Sequence, residues 1–330
     1  MSRKGLLKQI LFKCAFTLLT ILIIVSVNFA LIHLAPGSPV LMIAGEAAMS
    51  DPEYLIKMSK YYGLDKPIIE QYFLYLQRLF VGDLGYSWRY NERVAVLILE
   101  RIPATLLLTV SAMVFAVFFG IFLGVYAARR PYSTVDNLVT TFVLTGYSIP
   151  IFWLGLMLIL LFSVNLGLLP IGGMRTIGGN LTGFDYILDV LAHLLLPTVV
   201  LGTRTLALVA RLTRANMLYV LGLDYIVTAR SKGLSERRIL FKHALKNAFL
   251  PVITIIGLQV PWILGGALLT ETTFSWPGMG RLMYESLLTR DYPLIMGILV
   301  VTTIVVVAAN LLVDIAYAFI DPRIRITNEG

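Results

Sequence analysis

The chain runs in long apolar blocks separated by polar stretches, and block length is the first quantity to read. Cys14 to Ala35 spans 22 residues with no acid, lysine or arginine. That matches the roughly 20 residues a helix needs to cross a bilayer and exceeds the apolar run of a cleavable leader. It is read as a retained first span. Comparable blocks follow at about 102–128, 138–164, 190–213, 247–270 and 293–320. Six spans return both ends of the chain to one side. Inside hydrocarbon every backbone N–H and C=O must be bonded within its segment, so the blocks predict an all-α polytopic membrane protein.

One segment breaks the pattern. Residues 36–101 are too polar to cross and too many for a plain turn, which predicts an external insert after the first span. Within it, KPIIEQYFLYLQRLF places Ile69, Tyr72, Phe73, Leu76, Leu79 and Phe80 on one helical face, with Pro67 near its start and Gly82 past its end. That face either packs on the spans as a small lid or helps dock an extracellular partner, and amphipathicity leaves both open. The organisation expected is a tail and first span over 1–35, the insert over 36–101, a membrane core over 102–325 with a loop at 222–246, and a tail over 326–330.

Composition agrees: 58% of the residues are hydrophobic, 14% are charged, and the mean hydropathy is +0.83. The single cysteine, Cys14, excludes an internal disulfide and a multi-cysteine metal site. His33, His193 and His243 are scattered, in no H-E-x-x-H pattern, so no metal site is expected. The net charge of +8 reads as membrane topology, not nucleic-acid binding. Sixteen of the 27 Lys and Arg residues fall on one side, in the N-terminal tail, at Arg129 and Arg130, in 211–246, and at Arg323 and Arg325. Short basic loops stay cytoplasmic, so both termini and the 211–246 segment are expected there.

Within that segment, residues 224–251 read DYIVTARSKGLSERRILFKHALKNAFLP, with seven Lys, Arg and His residues. Asp224 to Lys232 suits a helix, Gly233 a left-handed C-cap, and Ser235 the N-cap of a second helix carrying Glu236 in its first turn. In that helix Arg238, Lys242 and Lys246 share one face, while Phe241, Ala244, Leu245 and Ala248 line another. A basic amphipathic element of this kind is attracted to anionic membrane lipid. That does not account for small residues, Ala229 and Gly233, beside a helix–turn–helix, which suggest close approach of another protein surface.

The stretch resembles the cytoplasmic EAA loop of ABC importer permeases, in the subfamily that moves peptides, nickel and some oligosaccharides. The wider family's Glu-Ala-Ala falls on Val227, Thr228 and Ala229, and its glycine on Gly233. Further resembling segments include HLAPGSPV, YGLDKP, GDLGYSW, RIPATLLLT, ARLTRANML, TETTFSWPGMGRLMYESLLTRDYPLIMG and NLLVDIAYAFIDPRIR, in order along the chain. They resemble the first permease of a heterodimeric pair, the one with the long external insert.

The resemblance implies the type I importer permease fold in a prokaryotic inner membrane. It also implies a second homologous permease, two P-loop ATPases holding ATP and Mg, and an extracytoplasmic binding protein that delivers cargo. The chain has no G-x-x-x-x-G-K-[ST] sequence, so it is expected to bind no cofactor and to hydrolyse no ATP itself. The resemblance makes the loop a coupling helix, with Ala229, Gly233, Leu234, Ser235, Arg238, Ile239 and His243 forming or bracing the ATPase contact; His243 reads equally as a plain interfacial histidine. The cargo expected is di- or oligopeptide, with nickel or oligosaccharide as the alternative. No run of His, Cys or Met favours nickel.

Other polar positions carry weaker signals. Trp276-Pro277-Gly278 marks a turn in an external loop that either caps the bundle or faces the binding protein and pathway. Arg211 and Arg214 are placed to snorkel or pair locally. Arg204 lies seven residues, about 10 Å, deeper. It either pairs with the partner permease or an acid such as Asp314, or lines the route and attracts a carboxylate. Asn310 and Asp314 read as structural. A membrane enzyme would need a Ser/His pair, paired intramembrane acids or a metal site, none of which appears at suitable depth, and a lone secondary transporter would leave the loop without a task.

Overall fold

The structure, a computed structural model, describes residues 3–34, 53, 56–57, 59–60, 63–178 and 181–320. Residues 35–52, the Asp321-Pro322-Arg323 end and the side chain of Asp314 lie outside the described residues. The helices are α1 (Arg3–Leu34), α2 (Ile68–Phe80), α3 (Val94–Arg129), α4 (Thr134–Ser148), α5 (Ile151–Leu158, continued by a π-helical turn Ile159–Asn165), α6 (Gly183–Leu221), α7 (Asp224–Ser231), α8 (Leu245–Thr273), α9 (Met279–Thr289) and α10 (Tyr292–Ile320). A short hairpin, β1 (Tyr86–Ser87) and β2 (Glu92–Arg93), precedes α3, with Tyr86 opposite Arg93.

Three helices are long and apolar enough to cross a membrane alone: Val94–Arg129, Gly183–Leu221 and Tyr292–Leu311. Leu18–Ala30 is a shorter apolar helix within α1. The block read as one span over 138–164 is instead two helices, Thr134–Ser148 and Ile151–Asn165, meeting at 107°. The break falls at Ile149-Pro150, both in extended or polyproline-like backbone. Proline lacks the amide hydrogen for the helical ladder and forces its predecessor out of the α region.

The chain divides into two compact units. The first comprises Met1–Pro103 with Gly278–Leu311, the second Ala104–Pro277 with Leu312–Gly330. In the first unit, Val94, Leu97 and Ile98 pack against Met279, Leu282, Leu294 and Ile298. The hairpin is tied to this core by Ser87 Oγ, which donates to buried Asp291, and by Tyr90 Oη, which donates to Glu285 at 2.8 Å. Burial pushes the Asp291 carboxyl up, against the lowering effect of the donors from Ser87, Leu294 and Arg89.

Helix α2 lies on α1 through polar and aromatic contacts. Ser26 Oγ is 2.6 Å from Tyr72 Oη, His33 Nε2 is 2.9 Å from Gln71 Oε1, and the Phe29 ring meets Tyr72 edge-on at 5.3 Å. The face that packs therefore includes Gln71, Tyr72 and Tyr75. Ile69, Phe73 and Phe80, placed on the same helical face by their spacing, are exposed. The amphipathic pattern located the helix and its ends, and only part of its apolar face meets α1.

In the second unit, α3 and α6 cross through small residues. Ala112, Ala116, Gly120, Gly124 and Ala128 recur every fourth residue of α3, all buried. A Cβ added at Gly120 would lie 2.8 Å from Val209 Cβ, and one at Gly124 only 2.6 Å from the Ala210 carbonyl oxygen and Thr213 Cβ. Small residues at this spacing let backbones approach, which is how helices associate where water provides no driving force. Gly124→Leu is expected to break this crossing, since overpacking costs about 1–3 kcal/mol or more when backbone must move. The check is the thermal midpoint of the purified variant; an unchanged midpoint would show that the crossing yields freely.

Candidate functional site

The basic loop folds as the sequence suggests at its turn. Helix α7 ends at Ser231, and Gly233 adopts φ +71. The Gly233 amide donates to the Arg230 carbonyl at 2.9 Å and the Leu234 amide to the Ala229 carbonyl at 3.4 Å. These are the two bonds of a Schellman cap. Leu234 and Ala229 both join the cluster beneath, giving the apolar contact that accompanies such a cap. Ser235 has the extended backbone of an N-cap, φ −62 and ψ 143, without a side-chain capping bond. Arg230 Nε bonds Glu236 Oε1 at 3.0 Å across the turn.

The second helix of the loop departs from the expected geometry. After one turn, Glu236–Arg238, the chain enters a π-helical segment, Ile239–Ala244, before α8 begins. Ala244 and Ala248 are buried as the spacing predicts, but within the wider π turn Ile239 and Leu240 take the buried side, and Phe241, assigned to the apolar face by a regular 3.6-residue period, is 49% exposed. Arg238, Lys242 and Lys246 are exposed, as their spacing requires.

The segment thus has two sides. Its underside, Ile226, Ala229, Ile239, Leu240 and Ala244, packs on Val125 and Ala128 of α3 and Met217 and Val220 of α6. Tyr225 adds polar bracing, accepting from Asn247 Nδ2 at 2.7 Å and donating to the His243 carbonyl at 3.3 Å. Of the expected contact residues, Gly233, Ser235 and Arg238 face outward, Leu234 and His243 are half-buried, and Ala229 and Ile239 are underside anchors. A Cβ placed on Gly233 would meet nothing within 4 Å. Residue spacing did not single out Val227, an exposed apolar side chain on the outer face of α7. A β-branched apolar residue on an otherwise polar helix face was the available signal.

Beneath the loop, Arg214 binds Asp136 with two parallel bonds, Nε to Oδ1 and Nη2 to Oδ2 at 2.5 and 2.6 Å. Asp136 is 1% exposed and also accepts from the Tyr132 amide at 2.8 Å, while its own amide donates to Ser133 Oγ, the N-cap of α4. The local pairing expected of Arg214 is this one, and it fixes the 130–136 turn to the lower part of α6.

Arg204 is exposed on α6 with its guanidinium carbon 5.2 Å from the centre of the Tyr147 ring, a cation–π distance. Trp276 is wholly buried: its Nε1 donates to the Ala104 carbonyl at 2.9 Å and its amide to the Glu271 carbonyl. Buried Glu271 accepts from Thr105 Oγ1 at 2.7 Å. Gly172 and Gly173 close over Phe274, with the Gly173 amide donating to the Phe274 carbonyl at 2.8 Å. Among the described residues no group of three or more His, Cys, Asp or Glu side chains forms a metal-binding cluster.

Known proteins match nearly the whole length. Residues 120–326 match the family described as binding-protein-dependent transport system inner membrane component, and residues 6–109 match the N-terminal region of such membrane components. The Dipeptide transport system permease protein DppB of Escherichia coli (strain K12) is 44% identical over 97% of this chain and 99% of that protein. The Di/tripeptide transport system permease protein DppB of Pseudomonas aeruginosa (strain UCBPP-PA14) is 46% identical over 90% and 93%. The Oligopeptide transport system permease protein AppB of Bacillus subtilis (strain 168) is 44% identical over 94% and 97%. A solved chain from the inward-facing MetNI methionine ABC transporter, in its SeMet soak crystal form, shares the fold at TM-score 0.52 and 17% identity, over 68% of this chain and 96% of that one. The chain belongs to the binding-protein-dependent transport system inner membrane component family and is a permease of the type I ABC importer fold.

Proposed function

We propose that this chain is one of two permease subunits of an ATP-driven importer that takes up di- or oligopeptides delivered by an extracytoplasmic binding protein. Identity of 44–46% to three permeases named for dipeptide, di/tripeptide and oligopeptide transport carries the cargo reading. In this reading both termini and the 222–246 loop face the cytoplasm of a prokaryote, and residues 36–101 form the external insert. The two P-loop ATPases, with their ATP and Mg, sit below the loop. Gly233, Ser235 and Arg238 make the outer contact, Leu234 and His243 its edge, and Ala229 and Ile239 hold it to the bundle.

The observation that supports coupling is the combination of an outward Schellman turn with open space at Gly233 and a fully packed underside. A rigid short helix transmits ATPase closure to the spans as a rocking motion, whereas a floppy loop would absorb it. The test is uptake by cells expressing the chain with its neighbouring transport genes: labelled dipeptide should enter, and nickel or an oligosaccharide should neither enter nor compete. Entry of nickel or sugar without peptide would replace the cargo reading.

Arg204 is the residue proposed to face the route. Arg204→Ala is expected to leave assembly intact and to lower uptake of free-carboxylate peptides about tenfold relative to C-terminally amidated ones, the scale of a charge-assisted hydrogen bond. An unchanged preference between the two peptide classes would remove Arg204 from the pathway.

A further inference from the structure

The coupling segment leaves a groove of 250 Å³ between its first turns and the lower end of α3. Two arginines, Arg129 and Arg237, lie at this groove with Phe122, Tyr126, Leu240 and Phe241. No acid lines it, and neither arginine makes an ion pair or hydrogen bond among the described residues. The groove is also the end of a longer feature. Opposite its row of small residues, α3 carries Val110, Val114, Phe118, Phe122 and Tyr126, every fourth residue, all between 48% and 64% exposed. That outward row reaches Arg129 at the last turn of the helix. From Phe118 to Arg129 the helix rises about 16 Å, close to half of a ~30 Å hydrocarbon core. An apolar row of one-leaflet length, then an interfacial tyrosine, then paired cations, is the profile of a phospholipid from acyl chain to headgroup.

We propose that this groove holds an anionic phospholipid of the inner leaflet, with its phosphate between Arg129 and Arg237 and an acyl chain along the Phe118–Phe122 row. The cytoplasmic placement of the groove rests on the orientation given under Proposed function. Guanidinium groups are weakly hydrated and grip phosphate oxygens in pairs, so two arginines from separate elements suit one phosphate. Because Arg237 belongs to the coupling segment and Arg129 to α3, the lipid ties the segment to the bundle from its outer edge.

The experiment is native mass spectrometry of the full chain in mild detergent, alone and with its partner subunits, titrated with phosphatidylglycerol or with phosphatidylcholine of the same chains. Phosphatidylglycerol adducts should dominate. Each basic residue near a membrane surface contributes about fivefold, so Arg129→Gln with Arg237→Gln should weaken the adduct about 25-fold. Arg129→Lys with Arg237→Lys should keep much of it, which separates lost charge from damaged folding. Equal binding of the two lipids, or full phosphatidylglycerol binding in the double glutamine variant, would overturn the proposal. So would loss of the lipid on assembly with partners retained, since a neighbouring subunit would then cover the groove. Failure of the coupling reading would appear separately, as absent ATPases with native and variant chains alike.

Discussion

Gly233→Arg is expected to leave the chain folded and inserted while transport stops. Gly233 sits at φ +71, and a side chain there meets nothing within 4 Å. Inside the chain the substitution therefore costs only left-handed backbone, roughly 1–2 kcal/mol, spread over a segment anchored by Ile226, Ala229, Ile239 and Ala244. Outside the chain, a long cation would project where the proposed ATPase cleft must close. A clash of about 1.4 kcal/mol already shifts a binding equilibrium tenfold, and an arginine in a fitted cleft exceeds that. Peptide uptake should fall at least about tenfold, and the ATPases should no longer co-purify or no longer respond to cargo. Gly233→Asn is the control, because a short side chain that tolerates the left-handed region should retain most activity. Normal uptake with Gly233→Arg would remove the glycine turn from the contact.

Arg214→Ala should produce the largest loss of stability. It strips both bonds from Asp136, whose side chain is 1% exposed and so cannot recover them from water. Removing one partner of a buried pair typically costs about 3–5 kcal/mol, because the remaining charge is uncompensated. The 130–136 turn should loosen with it, since Asp136 also holds the Tyr132 amide. Arg214→Lys should recover only part of the loss, as an ammonium cannot make the two-pronged contact. Pairing Arg214→Met with Asp136→Leu should recover more than Arg214→Met alone, since it removes the stranded charge. Thermal unfolding of the four variants in detergent decides this. If Arg214→Ala melts with the native protein, the pair is not structural.

How much of this was legible in the sequence depended on range. The apolar blocks at 102–128, 190–213 and 293–320 were each legible as a span because the bilayer sets helix length without reference to neighbours. The glycine turn was legible because Gly233 and Ser235 act within a few residues of themselves. The break at Ile149-Pro150 was missed although its signal lay in the block: hydropathy sums over a proline that the backbone cannot ignore. The exposure of Phe241 was not legible, because the π turn puts Leu240 on the buried side in its place and no residue type announces such a turn. The Asp136–Arg214 pair joins residues 78 apart, and nothing in spacing selects that partner among the other cations. The outer face of the coupling segment lies between these cases. Its cations are exposed as the period requires, but separating Gly233 and Ser235 from the buried Ala229 and Ile239 took the fold itself.

The central claim is that the turn at Gly233 and Ser235 touches the ATPase, and site-directed cross-linking tests it most directly. The chain has one cysteine, Cys14, so a Cys14→Ser background accepts single probes. Lys232→Cys and Ser235→Cys, both at exposed positions, would each be labelled with a thiol-reactive benzophenone and irradiated in membranes containing the whole transporter, so that the adduct needs no cysteine on the ATPase. Val114→Cys, on the outward row of α3, is the reference. The expected result is a covalent adduct with the ATPase from both loop positions and none from Val114. ATPases that co-purify with the chain yet form no adduct at either loop position would contradict the account.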